Sequence, residues 1–188
     1  MLAFQSSILS DKVAKAYISS NLARVLVNFF TSLTRMAGND ERTFIMVKPD
    51  GVQRGLVGEV MARFERRGYQ LVAARFVTPT RALLDSHYAE HVTKGFYPGM
   101  AAFMSSGPVM AMVWQGKDVI KTGRKMLGET NPLNSMPGTI RGDFGVDLGR
   151  NVCHGSDGPE AAEREINLWF AEGVETYTKA LHPHIYEC

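Results

Sequence analysis

The chain has 188 residues, 21 Lys and Arg against 19 Asp and Glu for a formal net charge of +2, and 45% hydrophobic residues, which suits one globular domain with an appendage. That charge excludes long-range nucleic-acid binding through bulk basicity, and two cysteines, Cys153 and Cys188, give neither a disulfide framework nor metal-ligand spacing. No uninterrupted apolar run approaches the roughly 20 residues of a membrane span; Val25 to Leu33 is interrupted by Asn28, Thr31 and Ser32.

Residues 1–36 read as an N-terminal extension. They carry Lys12, Lys15, Arg24 and Arg35 against Asp11 alone, several serines, and apolar Val13, Ile18, Leu22, Val25 and Leu26 among the basic residues. This pattern fits an amphipathic organellar transit peptide, with a mitochondrial address favoured. The alternative is an upstream extension with translation starting at Met36 and a cytoplasmic product. A domain is expected over 37–188.

Within it, Thr43 to Lys48 predicts a buried strand stopped by Pro49-Asp50-Gly51, and Glu59 to Arg67 places Val60, Met61 and Phe64 at helical spacing before Gly68. Tyr69 to Thr78 alternates as a second strand. Thr80 to His91 and Pro98 to Ser106 predict two inserted helices, the first with Leu83, Leu84 and Tyr88 on one face. Pro108 to Gln115 is a third strand and Lys117 to Leu127 a further helix. Gly128 to Gly142 is a loop rich in Gly, Pro, Asn and Thr, Asn151 to His154 a short fourth strand, and Pro159 to Ala171 a closing helix. The order β-α-β-(αα)-β-α-β-α predicts an α+β fold, a ferredoxin-like split βαβ sandwich with a four-stranded antiparallel sheet and helices on one face.

The chemistry gathers around Asn151-Val-Cys-His-Gly-Ser-Asp157. A neutral imidazole, with an ordinary pKa of about 6.5, offers a lone pair to electrophilic phosphorus, so His154 is a candidate phosphate carrier. Asp157 and Glu160 are spaced as a capping box, with Pro159 in the first turn of the closing helix, and helix amino-termini favour anions. Lys48 at a strand end, Arg124 on a helix, Thr130 and Asn131 in the loop and Arg141 leaving it supply the cations and donors that phosphoryl transfer needs. Phe96, between Gly95 and Tyr97-Pro98, is placed to stack on a base. A P-loop is excluded, since Gly51 to Glu59 lacks the lysine and the hydroxyl. Asp143-Phe144-Gly145 matches a protein-kinase triplet by letters alone, and Lys94 to Tyr97 resembles the opening of an RNA-binding strand motif, but Pro98-Gly99 would break the strand that has to present its aromatics.

The blocks Thr43-Phe-Ile-Met-Val-Lys-Pro-Asp-Gly-Val-Gln-Arg-Gly-Leu-Val-Gly58, Ser106-Gly-Pro-Val109, Lys121-Thr-Gly-Arg124, Leu127-Gly-Glu-Thr-Asn-Pro132, Pro137-Gly-Thr-Ile-Arg-Gly-Asp-Phe144 and Asn151 to Asp157 resemble the nucleoside diphosphate kinase family. The resemblance runs from about Glu41 to Glu187. It implies that His154 is transiently phosphorylated, as a phosphohistidine of the pros type, and carries the γ-phosphate of a nucleoside triphosphate to a nucleoside diphosphate by a ping-pong mechanism that maintains triphosphate pools. It also implies that Lys48, Tyr88, Arg124, Thr130, Arg141 and Asn151 hold ribose and phosphates, that Phe96 stacks on the base, and that Ser156 and Glu165 stand behind His154.

Glu165, two turns into the closing helix, and a backbone oxygen are both open as the acceptor that fixes the imidazole tautomer. Mg²⁺ is expected through the nucleotide phosphates, with no protein cage. The resemblance further implies a homo-oligomer, the hexamer favoured over the tetramer, with His182 to Glu187 as a tail packed on a neighbouring subunit; a two-histidine metal site is the other reading of that tail. Neither a membrane span nor nucleic-acid binding is expected. The rival reading is a regulatory or scaffold protein on the same fold, and phosphohistidine relay to other proteins is a related one.

Overall fold

The structure, a computed structural model, describes residues 38–187. The extension over residues 1–36 and Cys188 lie outside the described residues. Four strands form one sheet: β1 (Arg42–Val47), β2 (Gln70–Val77), β3 (Val109–Gln115) and β4 (Cys153–Gly155). Their order is β2-β3-β1-β4 and every pairing is antiparallel, which is the split βαβ arrangement expected from the element order.

Among the described residues seven α-helices accompany them: α1 (Pro49–Gln53), α2 (Val57–Arg66), α3 (Arg81–His87), α4 (Tyr97–Met104), α5 (Val119–Leu127), α6 (Ile140–Phe144) and, after β4, α7 (Pro159–Trp169). They do not all lie on one face, as the sequence reading has it. Alternate residues of β1 face opposite sides of the sheet. Ile45 and Val47 pack with Val60, Phe64, Val119 and Leu127 from α2 and α5, whereas Phe44 and Met46 pack with Leu84, Met104 and Trp169 from α3, α4 and α7. The inserted helices and the closing helix therefore cover the second face. A strand covered on both sides reads as a continuous apolar run, and Thr43 to Val47 is buried without a break.

Two helices are absent from the sequence reading. α1 forms where a stop is expected, because Pro49 suits a helix start and Lys48 O accepts from Val52 N–H at 3.0 Å. α6 forms at the end of the Gly/Pro-rich loop, capped by Thr139 Oγ1, which accepts from Gly142 N–H at 3.1 Å. The helix expected over Thr80 to His91 is interrupted: Thr80 caps α3, but Tyr88 leaves the helical region at φ −105°, ψ 33°, and a 3-10 turn follows over Ala89–His91. The fourth strand starts two residues later than expected, because Val152 has φ +70° and cannot lie in a ladder. The expected capping box is not formed either; the cap of α7 is Gly158, with no side-chain bond. Ahead of the C-terminal tail the chain lies along β2, with Glu175 N–H donating to Val72 O at 2.9 Å and Tyr177 Oη to Leu71 O at 3.0 Å.

Candidate active site

His154 stands in β4 opposite Met46 of β1, on the sheet face covered by α3 and α7. Its Nε2 lies 3.0 Å from Glu165 Oε1. The other carboxylate oxygen of Glu165 accepts from Ser156 Oγ at 2.7 Å. Ser156 is itself fixed to β1, since Phe44 N–H donates to Ser156 Oγ at 3.2 Å and Ser156 N–H to Phe44 O at 3.1 Å. Burial would raise the Glu165 pKa, but hydrogen bonds from His154 and Ser156 and the charges of His154 and His87 lower it overall, so the side chain is a carboxylate. A carboxylate only accepts. The proton between the pair therefore sits on Nε2, and Nδ1 carries the lone pair, with no hydrogen-bond partner among the described residues.

Lys48, at the end of β1, donates from Nζ to Asn151 Oδ1 at 2.7 Å, and Asn151 Nδ2 donates to Thr130 O at 2.8 Å. Burial, then the neighbouring Arg141, lowers the Lys48 pKa to about 8. Arg141 is buried and donates to three carbonyls, Asn151 O at 3.2 Å, Gly128 O at 2.9 Å and Cys153 O at 2.8 Å. Five guanidinium N–H groups exist, so two remain for an anion. Arg124 on α5 forms an ion pair with Asp157, which answers why Asp157 does not cap the helix.

Tyr88 meets the His154 ring edge-on with centroids 6.2 Å apart, and burial raises its hydroxyl pKa. Phe96 does not touch His154. It is exposed and is linked to it through a row of rings, Phe96 to His91 at 5.7 Å, His91 to Tyr88 at 6.3 Å, then Tyr88 to His154. Thr130 reaches the cluster with its backbone carbonyl, as described; its side chain is exposed.

His87 is absent from the sequence reading. It is buried one residue before Tyr88, packs edge-on to His154 with centroids 4.8 Å apart, and accepts from Trp169 Nε1–H at its Nδ1 at 3.1 Å. An indole only donates, and burial, then His154, lowers the His87 pKa to about 3. The ring is neutral with its proton on Nε2, 4.0 Å from Glu165 Oε1 and without a hydrogen-bond partner. The donors of His87, His154 and Glu165 lie within 4.8 Å of one another, but a protonated His87 Nε2 presents no lone pair to a cation. Its partners, Trp169 and Glu165, lie far along the chain, so no local pattern marks this histidine in the sequence.

A family model described as nucleoside diphosphate kinase matches residues 41–174. The chain is 65% identical over 135 residues to the nucleoside diphosphate kinase of Saccharomyces cerevisiae, covering 72% of this chain and 88% of that protein. The chain belongs to the nucleoside diphosphate kinase family. It is therefore a phosphotransferase of nucleotide metabolism. The Drosophila melanogaster nucleoside diphosphate kinase is 58% identical over 153 residues, 81% of this chain and the whole of that one. Among solved structures, the halophilic nucleoside diphosphate kinase of Halobacterium salinarum in complex with CDP matches at a TM-score of 0.77 and 46% identity, over 79% of this chain and 99% of that one. The Babesia bovis family structure matches at a TM-score of 0.76 and 49% identity, over 78% and 99%. The family match covers both the histidine strand and the loop over residues 128–142. No helix among the described residues is long and apolar enough to cross a membrane.

Proposed function

We propose that the protein moves the γ-phosphate of a nucleoside triphosphate to a nucleoside diphosphate through a phosphohistidine at His154. One observation carries the reading: Glu165 accepts the proton side of the ring at Nε2, 3.0 Å away, which leaves the Nδ1 lone pair as the nucleophile. In the first half-reaction Nδ1 forms a bond to the γ-phosphorus and the bond to the β-γ bridging oxygen breaks, so the diphosphate leaves with that electron pair. In the second, a β-phosphate oxygen of another diphosphate forms the new bond and the P–N bond breaks. The ring gains positive character during attack, and the Glu165 carboxylate offsets it. Ser156 holds the second carboxylate oxygen and so fixes the angle of the first.

Around the transferring group, Lys48, Arg124, the two remaining Arg141 N–H groups and Asn151 supply charge and donors for phosphate, Tyr88 and Thr130 flank it, and Phe96 offers an exposed face for a base. A stacking surface senses a π-face rather than an edge, so purine and pyrimidine nucleotides are both accepted. Binding of CDP by the halophilic relative supports a nucleotide ligand. Mg²⁺ takes oxygen donors in octahedral geometry, and the one grouped donor set among the described residues, two imidazoles and a carboxylate, does not fit it. The ion accordingly enters on the nucleotide phosphates as part of the substrate.

Incubation with γ-labelled ATP alone is expected to label His154 through an acid-labile, alkali-stable bond, and His154→Ala to take no label and to lose nucleotide exchange. Near-wild-type exchange in His154→Ala overturns the covalent assignment, whereas a wild type that neither takes label nor exchanges nucleotides favours a scaffold role. Leu133, Met136, Val146 and Leu148 are exposed apolar side chains on the 132–148 segment, which supports association with further copies, a hexamer or a tetramer; light scattering of the purified protein decides between them. Residues 1–36 act as an organellar address in this reading. A reporter carrying them should enter the organelle, and diffuse cytosolic signal removes the address.

A further inference from the structure

Val152 has φ +70° although it is β-branched and fully buried, a conformation that strains such a side chain. Cys153 N–H closes onto Asn151 O at 2.8 Å, making a three-residue turn of the strained hand centred on Val152. His154 follows one residue later. The turn also sets Asn151, which holds Lys48.

Strain of this kind persists only where the surroundings hold it. Lys48 N–H donates to Val152 O at 2.8 Å, and Asp50 Oδ2 accepts from Val152 N–H at 2.9 Å. Arg141 holds the carbonyls on either side. The approach of α1 is possible because residue 51 is glycine: a Cβ there would lie 2.6 Å from Val47 Cγ1 and 2.9 Å from Val152 O. The second oxygen of Asp50, Oδ1, is buried without a hydrogen-bond partner. A buried carboxylate oxygen left unpaired opposes folding, so helix stability does not account for this side chain. Its bond goes to the N–H of the strained residue beside the nucleophile.

We infer that Asp50 is a positioning residue for phosphoryl transfer: its carboxylate holds the Val152 turn and thereby sets the place of His154 relative to Lys48 and Asn151. This rests on the role proposed for His154. Asp50→Asn keeps an oxygen acceptor for Val152 N–H, whereas Asp50→Ala removes it. In a single turnover with ATP, Asp50→Ala should phosphorylate His154 roughly 10²-fold more slowly, the loss that a displacement of about 1 Å can cause, with the nucleotide dissociation constant changed by less than about threefold. Asp50→Asn should recover at least about tenfold of that loss.

Amide hydrogen exchange in the nucleotide-free protein gives a readout independent of activity. The segment 151–155 should exchange faster by more than about tenfold in Asp50→Ala, and not in Asp50→Asn. Exchange as slow as wild type in Asp50→Ala, a single-turnover rate within threefold of wild type, or an Asp50→Asn variant as slow as Asp50→Ala overturns the inference. Should Asp50→Ala fail to fold, the Asp50→Ala, Val152→Gly double variant decides: glycine adopts +70° freely, so recovered folding supports the inference and continued failure overturns it. A wild type that takes no phosphate from ATP overturns the reading of His154 and leaves the exchange comparison to judge Asp50 by itself.

Discussion

His154 Nε2 and Glu165 Oε1 lie 3.0 Å apart, with the same carboxylate anchored by Ser156 Oγ at 2.7 Å. The pair fixes the ring, and on the proposed mechanism it places negative charge where positive character would grow during attack. Glu165→Gln keeps hydrogen-bonding atoms at both oxygen positions and removes the charge. The expected result is a fall in kcat on the order of 10²-fold, comparable with the loss of a positioned acid or base, with KM for the nucleotide little changed. Steady-state exchange assays on the two proteins check it, and an unchanged kcat would leave Glu165 a purely steric support.

On the role proposed for Lys48, nucleotide binding should depend on pH. Burial and Arg141 lower its pKa to about 8, and a bound phosphate favours the charged ammonium, so binding takes up a proton above that pH. Affinity for nucleoside diphosphate should hold below pH 8 and then fall, by up to about tenfold per unit. Lys48→Met should bind more weakly throughout and lose this slope. Calorimetric titration between pH 7 and 9.5 gives both curves.

The sheet order and the histidine strand were legible because they rest on local signals, a period-2 pattern, glycine and proline punctuation and one motif. The covering of the second sheet face was not, since an unbroken buried run such as Thr43 to Val47 states that both faces are covered without naming what covers them. α1 and α6 left no sequence signal because five residues make little more than one helical turn, too short for an apolar stripe to repeat. Asp157 has the local spacing of a helix cap but pairs instead with Arg124, 33 residues away, a distance that no local rule spans. His87 and Asp50 belong to the same class: the first is defined by Trp169 and Glu165, the second by a turn 102 residues on.

His87 gives the fold an acid-side weakness. Its folded pKa is lowered to about 3 by burial and His154, against about 6.5 in the unfolded chain. Between those values the unfolded state binds more protons, so stability rises with pH across this window and is lost as pH falls through it, at up to about 1.4 kcal/mol per unit. Glu165, with a lowered folded pKa, adds a loss of the same sign below about 4.5. His87→Gln retains an acceptor for Trp169 Nε1–H without an ionising ring. Urea unfolding at pH 7 and pH 5 should show a markedly smaller difference in the variant than in the wild type, and equal differences would place the acid sensitivity elsewhere.

Arg141 and Arg124 are both proposed here to meet phosphate, and burial separates what each does when changed. Arg141 donates to three carbonyls of the 128–153 region from a buried position. A lysine ammonium places its donors on one nitrogen and cannot span the three carbonyls that Nε, Nη1 and Nη2 reach separately, so Arg141→Lys leaves buried carbonyls unpaired, each at about 1–3 kcal/mol. At roughly 2–4 °C per kcal/mol for a chain of this size, Tm should fall by on the order of 10 °C, and kcat with it, because the same carbonyls flank the Val152 turn before His154. The Arg124 side chain is 43% exposed and its partner Asp157 80% exposed, and such pairs contribute about 0–1 kcal/mol. Arg124→Ala should therefore leave Tm within a few degrees while raising KM for the diphosphate through loss of a charge contact. Thermal unfolding and steady-state kinetics on the two variants test the separation. A large Tm loss in Arg124→Ala, or none in Arg141→Lys, would show that the buried carbonyl contacts do not hold the loop as argued.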